Sequence, residues 1–144
     1  MTEREASDAY DLQRFVAAQA PAFETACAEL KAGRKQSHWM WFIFPQIAGL
    51  GRSPMAQRFA ISGRGEAEAY LRHPVLGPRL RRCAELVNGV EGRSAHQIFG
   101  APDDMKFHSS MSLFGAVAEE SEVFLAALRK YFGGEMDPLT LARL

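Results

Sequence analysis

The chain lacks the usual frameworks for metal sites and disulfides. It has two cysteines, Cys27 and Cys83, and four scattered histidines in 144 residues. No CxxC pair or Cys/His spacing is present, so no metal ligand set is expected. Each cysteine falls on the apolar side of a helical pattern and reads as a buried free thiol. Charge of one sign is also missing. The 17 basic and 17 acidic side chains cancel, leaving no global field to draw in a polyphosphate backbone, so nucleic acid is not expected as a partner. No apolar run approaches the ~18–20 residues of a membrane span. The first ten residues, MTEREASDAY, have no apolar core and do not read as a secretory signal. These absences point to a soluble, cytoplasmic protein without a membrane partner. Period-2 strands, internal repeats, low-complexity tracts and linkers are absent as well, and nothing calls for a cofactor.

What is present is helical. Apolar and charged fractions of 47% and 24% are those of a globular chain. A chain of this length buries about two-thirds of its unfolded surface and needs no staple. Leu12, Phe15, Val16 and Gln19 follow the 3–4 spacing of a helix face, and Pro21 restarts the chain for Phe23, Cys27 and Leu30. Gly33 suits a left-handed helix end. Ser53-Pro54 is a cap followed by proline at the first helical position. Further helices are expected from Glu66 to Arg72, from His73-Pro74 or Pro78 through Leu80, Cys83 and Val87 to a stop at Asn88-Gly89, after Ser94, from Ala101-Pro102-Asp103-Asp104, after Ser121 and from Asp137-Pro138. The expectation is an all-α fold, a compact multi-helical bundle of short helices. It forms one domain over 1–144, with residues 1–9 as a disordered tail.

The stretch KQSHWMWFIFPQ stands apart. Both tryptophans and two of the ten phenylalanines fall between Trp39 and Phe44. Aromatics bury roughly 150–250 Å² each, which makes this segment central to the core. Periodicity does not separate a short buried helix from a strand here. Ser37 as a cap and Pro45 as a stop favour helix.

Three segments, GRKQSHWMWFIFPQIAGLGRSPMAQRFAI, AYLRHPVLGPRLRRC and GRSAHQIFGAPDDMKFHSSMSLF, strongly resemble the family named domain of unknown function 1810. The resemblance runs from about Leu12 to the C-terminus. It implies an all-helical single domain. It carries over no activity and no catalytic residue.

Candidate chemistry lies in two places. Arg34, Lys35, Ser37 and His38 precede the aromatic run. If Ser37 caps a helix, free backbone N–H groups and two cations make an anion site, with Trp39 or Trp41 as a stacking face. The plainer reading is a helix start with solvated cations. In DDMKFHSSMSLF, Asp104 and His108 are four apart and share a helix face, half of a general-base arrangement. Lys106, Ser109 and Ser110 accompany them. A single helix is poor geometry for a triad, and the serines also suit close packing. The glycine loop Gly49-Leu50-Gly51-Arg52 matches no phosphate-loop fingerprint and reads as a flexible joint. His73 and His96 read as structural. The reading favoured is binding or processing of a small anionic ligand, nucleotide-like or phosphorylated, where the two motifs converge. The alternative is a non-catalytic protein-interaction module whose polar flanks are only caps and solvated ends.

Overall fold

Three of the helices begin at a side-chain cap that the sequence announces. A computed structural model describes residues 8–144, and these carry helices α1 (Gln13–Gln19), α2 (Phe23–Lys31), α3 (Met40–Ile43), α4 (Pro54–Arg58) and α5 (Arg64–Arg72). They continue with α6 (Leu76–Asn88), α7 (Ala95–Phe99), α8 (Asp103–Val117), α9 (Glu122–Phe132) and α10 (Pro138–Leu141). Among the described residues the one extended pairing is an isolated parallel bridge, Ile47 to Ile61. The expected all-α class is what the chain adopts. None of these helices is long and apolar enough to cross a membrane.

Ser53 Oγ accepts from the Ala56 N–H at 3.1 Å, with Pro54 at the first helical position. Ser94 and Gln97 form a reciprocal capping box on α7. Asp137 Oδ1 accepts from the Leu139 N–H at the start of α10. Gly133 ends α9 in the left-handed region, where a side chain would be strained. Of the tail expected at residues 1–9, the first seven lie outside the described residues. Asp8 accepts the Leu12 N–H at 2.6 Å and caps α1.

Aromatic rings hold the centre together. Phe15, Trp39, Phe44, Tyr70, Phe107, Phe114 and Phe124 are all fully buried. One series of contacts runs Phe15–Tyr70–Phe114–Phe124, with centroids 5.1, 5.4 and 5.9 Å apart. Another joins Phe44, Phe99 and Phe107, the last two stacked at 4.6 Å. Both series meet α8, which packs against α5, α7, α9 and α10. A helix surrounded this way has no solvent face in its middle, so Ser109, Ser110 and Ser112 are buried beside Phe107 and Phe114. Small side chains permit the close approach.

Gln19 and Glu66, both buried, find partners within the fold. Gln19 donates from Nε2 to the Phe42 carbonyl at 2.7 Å and to the Tyr70 hydroxyl at 3.0 Å. Arg14 pairs with buried Glu66 at 2.8 Å and donates to the carbonyls of Arg58 and Ala60. The loop between α4 and α5 is thereby fixed to α1.

Candidate functional site

The aromatic run does form a short helix, but Ser37 does not cap it. Helix α3 begins at Met40, and Ser37 is committed elsewhere. Its N–H and hydroxyl both donate to Glu29 on α2, at 2.8 and 2.5 Å. The Gln36 N–H and the Trp39 indole N–H donate to the same carboxylate at 2.7 and 3.0 Å. The anion site expected here is filled by the protein's own Glu29. Burial alone raises the Glu29 pKa. The Ser37 hydroxyl and the N–H donors of Gln36, Ser37 and Trp39 outweigh it and hold the group at about 2, against an ordinary 4.5. Trp39 is 1% exposed, so it offers no stacking face to a ligand. Arg34 and His38 are exposed and make no ion pair within the described residues.

Lys35 and Lys106 meet on a residue that the sequence did not single out. Asp103, at the first position of α8, receives Lys35 Nζ at 2.9 Å on one oxygen and Lys106 Nζ at 3.6 Å on the other. The Lys35 backbone N–H donates to the Ile98 carbonyl at 2.7 Å, which fixes the loop against α7. Each ammonium also lies over an indole, Lys35 over Trp39 at 5.1 Å and Lys106 over Trp41 at 5.4 Å. The Trp41 indole N–H is buried and has no hydrogen-bond partner among the described residues.

Asp104 and His108 do not pair. Asp104 Oδ2 lies 3.3 Å from His96 Nδ1 on α7, and Asp104 Oδ1 accepts the Met105 N–H. His108 lies against the other flank of α8. Its ring stacks on Phe132 at 4.1 Å, and Nε2 donates to the Glu135 carbonyl at 2.8 Å. That bond requires the proton on Nε2. Sharing a helix face was not enough, because tertiary partners turn the two side chains apart. The acid–base pair is absent, and Ser110 is fully enclosed with its hydroxyl unpartnered among the described residues.

Lys106 and Ser109 instead open on a hollow of about 260 Å³ between α8, α10 and the glycine loop. Its apolar lining comes from Leu50, Pro102, Met105 and Leu139, and its polar lining from Gln46, Lys106, Ser109 and Asp137. The joint Gly49-Leu50-Gly51-Arg52 thus contributes a wall. Asp137 was legible only as a helix start, yet it anchors this region. It accepts from Thr140 Oγ1 at 2.6 Å, Ser109 Oγ at 3.0 Å and the Leu139 N–H, while its own N–H donates to Ser112 Oγ. Burial raises its pKa, but these bonds and nearby His108 hold it below the usual carboxylate range. The excess of serines on α8 was the available signal, since buried hydroxyls need a partner.

Two other hollows carry less chemistry. One, of about 350 Å³, is bounded by Asp8 and His73, both engaged in capping. The other, of about 280 Å³, sets Arg72 and Arg81 among Glu68, Glu119 and Glu120.

No curated protein matches the chain. It is similar to a solved structure, the conserved hypothetical protein Rv1873 from Mycobacterium tuberculosis, at 55% identity and a TM-score of 0.92 over 93% of this chain and 96% of that one. The family described as Protein of unknown function (DUF1810) matches residues 9–144, and the chain belongs to that family.

Proposed function

We propose that the protein binds a small organic anion, a carboxylate or phosphate on an apolar body, in the hollow beside Lys106. The observation that carries this is the sharing of one carboxylate by two lysines. Asp103 sits closer to Lys35 than to Lys106, which leaves a half-buried ammonium with a loose partner on the wall of an apolar recess. A cation so placed is compensated best by an incoming anion. Asp137 also lines the hollow and accepts from three donors of the protein itself. The apolar lining suits a hydrocarbon or aromatic body better than a bare sugar phosphate. With Asp104 and His108 turned apart, the proposal is binding and not turnover.

Thermal shift against a panel of carboxylates and phosphate monoesters tests this. A ligand at a hundredfold excess over its Kd adds about 2.7 kcal/mol, a shift of several degrees. The hit is expected to vanish in Lys106→Ala. A flat panel, or a hit indifferent to that substitution, overturns the proposal. A second reading, docking of another protein, is favoured by Met105 and Leu139 at the rim, which are 61% and 66% exposed. It takes precedence if the panel is flat and Met105→Asp abolishes a protein complex.

A further inference from the structure

Helices α2 and α6 run in step. The Arg79 guanidinium lies 4.9 Å over the Phe23 ring. One turn further along each helix stand Cys27 and Cys83. Beyond the helix ends, Gly33 meets Val90 so closely that a Cβ there would lie 3.0 Å from Val90 Cγ1. Between these two contacts Cys27 and Cys83 stand at the same level of the two packed helices, near enough for each thiol to shift the pKa of the other. Both are free, Cys27 half-exposed and Cys83 buried. A buried thiol behind an accessible one, flanked by arginines, is more than packing needs.

We propose that Cys27 and Cys83 form a peroxide-reactive dithiol site, with Cys27 as the attacking sulfur and Cys83 as the resolving one. The Cys27 thiolate attacks one oxygen of hydrogen peroxide. The O–O bond breaks and the sulfur becomes a sulfenic acid. The departing hydroxide takes up the proton that Cys27 had released and leaves as water. Cys83 sulfur then attacks the Cys27 sulfur, and the Cys83 proton leaves with the sulfenic hydroxyl as a second water. The two cysteines are oxidised to a disulfide and the peroxide is reduced.

The charges around the pair assign these roles. The Cys83 thiol lowers the Cys27 pKa to about 7; burial opposes it, Arg82 and Arg79 assist, and Glu24 opposes. Cys83 is pushed up, because Cys27 favours its protonated form and its surroundings are apolar. The pair lies on α2 and α6, which do not line the hollow beside Lys106.

The test is treatment of the reduced full-length protein with hydrogen peroxide, followed by intact mass, maleimide labelling and peptide mapping. The expected result is loss of two hydrogens, simultaneous loss of both free thiols and a Cys27–Cys83 linked peptide. Cys83→Ser is expected to stop at a sulfenic acid on Cys27 that dimedone traps. Oxidation of Cys27 to the sulfinic acid while Cys83 stays free, or a reaction no faster than that of free cysteine, overturns the proposal. The wild-type masses decide the matter even if the variant fails to fold.

Discussion

At the residue scale, Glu29 shows how a chain can satisfy its own binding site. Backbone N–H groups, a serine and an indole converge on one point, and the sequence itself supplies the anion. Hydrogen bonds to a charged group are worth more than neutral ones, so Glu29→Ala is expected to lower stability by roughly 2–3 kcal/mol in urea unfolding. The sign of the pH effect follows from the depressed pKa. The contribution is complete above the ordinary value of 4.5 and is lost as pH falls toward about 2. Unfolding midpoints measured near pH ~5 and pH ~3 are expected to drop more for the wild type than for Glu29→Gln. Lysines 35 and 106 were legible as cations beside aromatics. Their meeting at Asp103 was not, because the pairing joins segments that only the fold brings together. Asp137 was hidden for the same reason, since its serine partners lie a helix away in the chain.

Element boundaries were far more legible, because capping is local. Ser53-Pro54, Ser94 with Gln97, and Asp137-Pro138 each place a side-chain acceptor within three residues of the N–H that needs it. The aromatic run was ambiguous because α3 has only four residues, too few for a period to declare itself. His73 belongs with the caps: Nδ1 accepts from the Val75 and Leu76 N–H groups ahead of α6. Replacing it with alanine is expected to cost ~1 kcal/mol in chemical denaturation. Burial depresses its pKa below the ordinary 6.5, only partly offset by Asp8. The cap therefore holds at neutral pH and weakens as pH falls from 6.5 through the folded value, since protonated Nδ1 no longer accepts. The elbow between α5 and α6 is tighter still. A Cβ on Gly77 would lie 2.2 Å from the Leu71 carbonyl oxygen, whereas one on Gly63 would meet nothing within 4 Å. Gly77→Ala is expected to destabilise by about 1–3 kcal/mol, and Gly63→Ala by less than ~0.5 kcal/mol, in the same measurement.

For the whole molecule, the continuity of the aromatic core sets the expected behaviour. Trp39 and Trp41 report on α3, while the three longest helices, α6, α8 and α9, supply nearly half of the helical residues, and all of these share one buried cluster. Tryptophan fluorescence and far-ultraviolet circular dichroism are therefore expected to give coincident urea transitions. Separated transitions would show that the segment around α3 opens on its own. The bridge at Ile47 and Ile61 sets a different limit. Ala48 donates to the Ile61 carbonyl at 2.8 Å and Ile61 to the Gln46 carbonyl at 2.9 Å, so the ends of the segment between them are clamped side by side. A clamped excursion changes length at little cost, ~0.6 kcal/mol for each doubling, because the clamp and not the loop holds the core. Residues inserted between Gly49 and Arg52 would leave the helices in place and move the Leu50–Gly51 wall of the hollow. What the recess admits is thereby free to diverge while the scaffold stays constant.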